Sequence, residues 1–393
     1  SAFALSNITT ASSARQPFLV PPKERMSTPA RQLMSAGEAL REALRGLPFG
    51  DEVSRLALEA YRDGATFGSG FQTLLKRLLE PYGVLLLDPL APAVRRLAAP
   101  LVRRAIEQAP ELTAALLERG RELQAGGYHV QVHVEEKTSL FFLLEQGRRT
   151  TLRRTGDTYA ANGSRYGAAE LVARLEVHPE EFSPNALLRP VVQDYLLPTV
   201  AYIGGPAELA YLAQSETLYR RLLGRMPVAL PRAAFTLLDA RAVKLLQRYG
   251  LRVGDVLGPA AGLELRIAQT LIPPPLHHAF ETGQAQIGRA LETVGEQLQA
   301  FDPTLAAALD KSRRKIRYQF SKMQAKAGRE SLRRAERARE EAGYLQHLIF
   351  PEKTLQERLY SVLPFLARHG TDLLERLDQA IRFDCPDHQV LVI

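Results

Sequence analysis

Ile287, Leu291, Val294, Leu298, Phe301 and Leu305 are spaced 4, 3, 4, 3 and 4 residues apart. That rhythm is the seam of a coiled coil, and it limits the possible folds more than any other feature of the chain. A helix carrying such a seam cannot bury it alone. The expected partner runs from about Leu305 to Leu345, where Ile316, Phe320, Met323 and Ala327 continue the seam before it thins into small and charged residues beyond Gly328. Asp302-Pro303 marks the bend, since proline is tolerated only at a helix start or a kink. Two long helices with globular sequence on both sides predict an antiparallel hairpin arm over residues 276–346, with 347–393 returning to the core. Prolines 273, 274 and 275 read as a stiff linker before the arm.

Upstream of the arm the apolar pattern is that of a layered α/β core, residues 35–275. Glu38 to Arg62 is helical in pattern, Gly64 to Gly70 is a joint, and Phe71 to Glu80 is a short helix. Gly83-Val-Leu-Leu-Leu-Asp88-Pro89 predicts a buried strand stopped by proline, and Ala91 to Gln124 a helix interrupted at Pro110. Tyr128 to Val134 alternates Val130, Val132 and Val134 with Gln131 and His133, a half-buried strand. Leu140–Leu144 and Thr150–Arg154 form a hairpin about Gln146-Gly147. Further on, Gly204-Gly205-Pro206 opens a helix through Leu223, Pro227 to Leu238 reads as a strand pair, and Asp239 to Tyr249 as a helix. His388 to Ile393 reads as a closing strand. Residues 1–34 form no recognisable element, and with no initiator Met the chain is expected to lack a front part.

Composition narrows the setting. With 46% apolar residues the chain can bury a large core, yet no apolar run reaches the length of a membrane helix. Cys385 is the single cysteine, so no internal disulfide forms and a reducing, cytoplasmic location is expected. The net charge of +8 is concentrated in Lys311–Glu340, where twelve Lys or Arg face three Glu. Such a stripe is either a solvated helix face or a polyanion surface. Only Tyr318 and Phe320 are aromatic there, which argues against a single-strand stacking platform for nucleic acid. No phosphate-binding P-loop or nucleophile elbow occurs. His277 and His278 are adjacent, with no further ligand at metal spacing, and no metal site is expected.

Two segments break ordinary rules. In Arg189–Glu208, charged and amide groups sit within an apolar stretch, and burying them is costly unless they are paired. Gly204-Gly205 at a strand-to-helix turn permits close backbone approach by a ligand, with helix N–H groups facing an anion. Either Arg189, Gln193, Tyr202, Gly204, Gly205 and Glu208 line a substrate pocket, or Gly-Gly-Pro is a tight turn and Arg189 pairs with Asp194 or Glu208. In the second segment, Leu355, Leu359 and Val362 form an apolar stripe, leaving Gln356, Glu357, Arg358 and Tyr360 for partners or for solvent.

Ser183-Pro-Asn185, Arg189-Pro190, Gln193-Asp194, Pro198-Thr199, Ala201-Tyr202-Ile-Gly-Gly-Pro206, Glu208 and Tyr211 together are very similar to the central signature of the cysteine-adding enzyme family of bacillithiol biosynthesis, BshC. Gly83–Pro89, Gly127-Tyr128, Leu140-Phe141, Gly147-Arg148, Met226–Arg232 and Leu355–Arg358 match the family in order. The resemblance implies a Rossmann-like core related to nucleotidyltransferases, a long antiparallel coiled-coil arm that dimerises, and an amide ligase joining L-cysteine to glucosaminyl malate. It also implies use of ATP, with Gln356, Glu357, Arg358 and Tyr360 placed to hold ATP or ADP where the arm meets the core. The family's upstream Gly-Gly-Gln-Gln and Gly-Glu-Asp-His-Asp segments do not occur here, and no residue is identified as the catalytic base. The competing expectations are a coiled-coil RNA-binding or scaffold protein using the basic 311–340 face, and an unrelated nucleotidyltransferase.

Overall fold

Helix signals near the start of the chain translate directly into structure. The structure, a computed structural model, describes residues 39–393 apart from 63, 64, 146, 147 and 383. The expected 1–34 segment and the Gln146-Gly147 turn therefore lie outside the described residues. Helix α1 (Gly50–Ala60) is followed by α2 (Phe67–Leu79), whose N-terminus is closed by reciprocal Thr66 and Ser69 hydrogen bonds. Helices α3 (Pro92–Glu107) and α4 (Ala109–Ala125) are separated by Gln108. Pro110 falls in the first turn of α4, where its missing N–H would have had no helical partner anyway.

Gly83–Asp88 is not a strand. It runs irregularly, and Leu85 is 95% exposed. A strand needs a neighbour to hydrogen-bond, and among the described residues none lies beside this apolar run. Tyr128–Val134 departs from expectation in a subtler way. Its alternation survives, with valines 130, 132 and 134 half-buried and residues 131 and 133 exposed, yet it belongs to no sheet. A side chain takes the place of the missing strand: buried Gln214 accepts from Val132 N at 2.8 Å and donates to Val132 O at 2.8 Å.

The largest sheet is antiparallel, in the order β4-β3-β2-β1-β5. Its strands are β1 (Thr138–Glu145), β2 (Arg148–Thr155), β3 (Thr158–Ala161), β4 (Ser164–Gly167) and β5 (Phe182–Pro184), with α5 (Ala168–Val177) between the last two. Phe142 stands opposite Thr151 and Leu143 opposite Thr150, which turns Phe141, Leu143 and Leu152 inward. Phe141 lies 5.6 Å from both Tyr159 and Phe182, ring to ring, at the centre of the first core.

Parallel pairing begins after α6 (Arg189–Leu196). Strand β6 (Ala201–Gly204), helix α7 (Pro206–Leu223) and strand β7 (Val228–Pro231) form a parallel crossover unit, with Gly204 opposite Pro231. Strand β8 (Phe235–Leu238) does not pair with β7 as the sequence predicted. It pairs in parallel with β9 (Gln389–Val392), the expected closing strand. Helix α8 (Ala240–Arg248) is capped by Asp239, and α9 (Val253–Val256) and α10 (Ala260–Thr270) follow.

The three prolines are no linker. Pro274 and Pro275 form the first turn of α11 (Pro274–Phe301), where the fixed φ of proline is already helical. Helix α12 (Pro303–Arg334) returns antiparallel, its start closed by Asp302, which accepts from Thr304 N and Oγ1 at 2.8 Å each. Arg313 donates to Leu291 O at 2.7 Å, and Phe280 meets Phe320 edge-on at 6.5 Å. Of the seam, Ile287, Leu291 and Leu298 are half-buried against α12, whereas Val294 and Phe301 face outward, Phe301 being 83% exposed. The chain breaks at Ala335 before α13 (Glu336–Ile349), whose buried Glu341 accepts from Arg248, Arg337 and Tyr249 at 2.8, 3.0 and 2.5 Å. Helices α14 (Gln356–Leu359), α15 (Leu363–His369) and α16 (Leu373–Ala380) then pack beside β8 and α1, where Phe49 N donates to Ala367 O at 2.8 Å.

Candidate functional site at the β6–α7 turn

The carboxyl end of a parallel strand followed by a helix is where open α/β sheets bind ligands, and Gly204-Gly205 occupies that place. Neither glycine has a positive φ; Gly205 is at φ −71°, ψ 169°. Conformation therefore does not demand glycine, but space does. A Cβ on Gly204 would lie 3.2 Å from Glu208 Cβ and 3.3 Å from Leu209 Cδ2, so this residue is glycine for packing. A Cβ on Gly205 would instead point at guanidinium groups, 3.4 Å from Arg358 Nη2 and 3.7 Å from Arg232 Nη2.

Three distant segments thus meet at one backbone position. Arg232 is fixed there because its N–H donates to Gly204 O at 2.8 Å, extending the β6–β7 pairing by one residue. Its Nη2 donates to Glu357 Oε1 at 3.2 Å, and Arg358 Nε lies 3.7 Å from the same oxygen. One carboxylate so holds two guanidiniums beside the N-terminus of an 18-residue helix. Glu208 spends Oε2 on Gly205 N at 3.1 Å. Burial alone would raise the pKa of Glu208, but the Gly205 N–H, Tyr211, Arg189 and Arg232 outweigh it and hold the carboxyl below its usual range.

Arg189 resolves the alternatives left open by the sequence. It pairs with Glu208 at 3.3 Å and not with Asp194, which accepts from Thr199 N at 2.8 Å and faces Arg225 at 2.9 Å. The same Arg189 Nη2 donates to Tyr211 Oη at 2.5 Å and Tyr202 Oη at 3.3 Å, and Tyr211 donates to Glu208 Oε1 at 3.1 Å. Gln193 is half-buried and has no side-chain partner among the described residues. Counting Arg189, Arg232 and Arg358 against Glu208 and Glu357, the turn keeps one uncompensated positive charge in addition to the helix N-terminus. Such a charge balance favours an anion over a cation at the turn.

The second segment divides. Glu357 and Arg358 join the turn, but Gln356 does not face it. Gln356 is 2% exposed, accepts from Leu237 N at 2.8 Å, and donates to Leu237 O at 3.0 Å and Leu348 O at 2.8 Å. Its amide is used up by backbone. Tyr360 donates its hydroxyl to His347 O at 2.5 Å and sets its ring 6.4 Å from Phe365, and burial pushes its pKa up to about 12. That hydroxyl is not available to a ribose.

Sequence reasoning singled out neither Arg232 nor Tyr211 as a site residue. It also passed over a second group, at the carboxyl end of β8. There Asp239 accepts from Ala242 N at 2.8 Å and from the Tyr344 hydroxyl, Arg368 approaches it at 3.9 Å, and Arg241 lies 4.2 Å over the Tyr344 ring. An apolar run ending in Leu238-Asp239 before a helix is the signal that could have found it. Among the described residues, no group of three or more His, Cys, Asp or Glu could hold a metal ion.

Residues 18–233 match the family model "Bacillithiol biosynthesis BshC, N-terminal Rossmann-like domain", and residues 235–393 match "Bacillithiol biosynthesis BshC, C-terminal coiled-coil domain". The chain belongs to the BshC family. It is 53% identical over 354 residues to a protein of Solibacter usitatus, 90% of this chain and 67% of the relative. A protein of Koribacter versatilis is 40% identical over 333 residues, 85% of this chain and 62% of the relative. Both carry the name "Putative cysteine ligase BshC". The chain thus spans about two thirds of the length of the BshC proteins it matches. The BshC domain models meet between β7 and β8, so the Gly205 turn and Arg232 fall in the Rossmann-like domain and Glu357 and Arg358 in the coiled-coil domain. The site is built across both.

Proposed function

We propose that this chain carries the cysteine ligase chemistry for which its relatives are named, joining the carboxyl of L-cysteine to the amine of glucosaminyl malate in bacillithiol biosynthesis. The observation that carries the reading is the convergence of Arg232, Glu357 and Arg358 on the Gly205 turn. A carboxylate is a poor electrophile, and ATP, when bound, supplies the group that activates it. The residues present suit its phosphates. Gly205 lets the Arg232 and Arg358 guanidiniums approach the backbone at the start of α7, where helix N–H groups favour an anion. Arg232 and Arg358 offer planar forks for its oxygens, and Glu357 keeps the two from drifting apart or repelling each other out of register. Charge that builds on the phosphates during transfer would meet donors already oriented, which is how such sites lower barriers. The Asp239–Tyr344–Arg368 group, at the carboxyl end of β8, offers a carboxylate and a cation at a second strand end.

The exposed Val294 and Phe301 stripe supports a homodimer formed through the arm. No helix among the described residues is long and apolar enough to cross a membrane, and the lone thiol Cys385 supports a cytoplasmic enzyme. The basic face of α12 offers cations with little aromatic surface between them, which favours the ligase reading over an RNA-binding one.

The test is direct. The chain is incubated with ATP, L-cysteine and glucosaminyl malate, and the amide product is followed by mass spectrometry. Alongside, the gene is returned to a strain that accumulates glucosaminyl malate and lacks bacillithiol. Amide formation dependent on ATP, lost in Arg358→Ala, is the expected result. A chain that restores no bacillithiol and forms no amide overturns the reading.

A further inference from the structure

Arg95 is a buried cation without an ion pair. It is 7% exposed, and no carboxylate among the described residues pairs with it. It is the fourth residue of α3, in a first turn that carries no acidic residue and where the helix field disfavours a cation. Nη1 donates to Phe182 O at 2.6 Å. Nε is enclosed with no acceptor, and Nη2 has no partner among the described residues either. Burial lowers the pKa of Arg95, nearby Arg149 lowers it further, and Asp88 offsets only part of this from a distance. Asp88 Oδ1 is itself engaged, accepting from Leu90 N at 2.8 Å. Arg149 has no ion pair among the described residues, and its guanidinium lies 5.8 Å over the Phe142 ring. Burying an uncompensated charge is costly, and a buried donor without an acceptor calls for a partner.

We infer that Arg95 and Arg149 bind a phosphate group, either inorganic phosphate or the phosphoryl end of a metabolite. One hydrogen of Nη2 and that of Nε leave the same edge of the Arg95 guanidinium in parallel, so one oxyanion placed there meets both. Phe182 O occupies Nη1 and leaves that edge alone. A second cation at hand favours two negative charges over one, and the tetrahedral oxygens of a phosphate can face two guanidiniums at once. Asp88 opposes a dianion at this place, which gives one arm of the test its sign. The group shares no residue with the Gly205 turn, and it stands whether or not the ligase reading holds.

Binding can be measured without turnover. The whole chain is titrated calorimetrically with inorganic phosphate and with glucose 6-phosphate, ionic strength being held constant with chloride. Wild type is compared with Arg95→Met, Arg149→Ala, Asp88→Asn and, as a control at the Gly205 turn, Arg358→Ala. Wild type should bind at least one probe, and that probe should raise its melting temperature by mass action. Arg95→Met should weaken binding roughly ten- to a hundredfold and Arg149→Ala about tenfold. Asp88→Asn should tighten it by removing a like charge, and Arg358→Ala should leave it unchanged. Tighter binding of the free ion, or of the ester, upholds the inference and says which of the two sources the ligand has. Binding of neither probe by wild type overturns it, as does binding that Arg149→Ala leaves within about twofold. Arg149 is exposed, so this variant decides the matter even where Arg95→Met does not fold. Binding lost in Arg358→Ala and kept in Arg95→Met belongs to the Gly205 turn and also refutes it. If Asp88→Asn lowers the melting temperature without tightening phosphate, Asp88 is the partner of Arg95 and the inference fails.

Discussion

Gln356 offers the sharpest separation between a ligand-binding residue and a structural one. Replacing it with methionine keeps the side chain's length and much of its volume but deletes three hydrogen bonds, to Leu237 N, Leu237 O and Leu348 O. Each is worth roughly 0.5–1.5 kcal/mol net, and the Leu237 N–H would be left buried without an acceptor at roughly 1–3 kcal/mol. The two estimates overlap, since one of the three lost bonds is the one that orphans this donor. A loss of about 3 kcal/mol is therefore expected. Urea unfolding followed by circular dichroism measures it, and hydrogen exchange at the Leu237 amide locates it. That amide should lose protection more than the amides of β1. A loss under about 1 kcal/mol with Leu237 still protected, together with weakened ADP binding, would refute the reasoning and return Gln356 to the ligand.

Three further outcomes follow from the same geometry. Gly205→Ala should cost at most about 1 kcal/mol of stability as a poorer helix cap, yet lower ADP affinity about tenfold because the methyl group enters the space between Arg232 and Arg358; unchanged affinity by calorimetry would move the phosphate site elsewhere. Glu341→Gln should cost about 1–2 kcal/mol at neutral pH, the exposure of Arg248 and Arg337 screening the rest. Burial would raise the pKa of Glu341, but Tyr249, Arg337 and Arg248 hold it below 4.5, so its contribution is full above pH 4.5 and fades as the pH falls through the folded value. Wild type and variant should therefore converge in acid, and a constant gap in thermal melts across pH 3–7 would count against it. Val294→Asp with Phe301→Asp should yield monomers by light scattering without loss of helicity, whereas charges at Leu291 or Leu298 should damage the hairpin itself, because those two are half-buried within the arm. A dimeric double variant would show that the outer stripe is not the interface.

What could be read in advance was what local chemistry dictates. Asp302-Pro303, Asp239 and Gly205-Pro206 each close or open a helix through bonds made within a few residues, and those boundaries appear where expected. The arm was legible for the same reason, as a periodic stripe. Gly83–Asp88 was not, because an apolar run says nothing about whether a neighbouring strand exists. Tyr128–Val134 was half right: burial follows alternation, but its partner is the amide of Gln214, which no pairing rule anticipates. At the site, the sequence indicated Arg189, Glu208 and Arg358 individually. It could not show that Arg232 and Glu357, 125 positions apart, share one ion pair beside Gly205. Gln356 was misplaced because a polar residue beside an apolar stripe looks solvent-facing until the backbone it serves is known.

The β8–β9 pairing has a consequence for synthesis. Leu238 and its partner Val392 are separated by the whole arm, and β9 leaves the ribosome roughly 150 residues after β8. At about 5–20 residues per second, β8 waits on the order of eight to thirty seconds for its neighbour. Throughout that interval Phe235–Leu238 is a short apolar edge with open hydrogen-bonding groups, the kind of surface to which another nascent chain can add. Leu237 gains the Gln356 amide only near the end of the wait. The length of the arm thus sets a timer on a vulnerable edge, and a ribosome stalled within α12 would hold that edge open for as long as it paused.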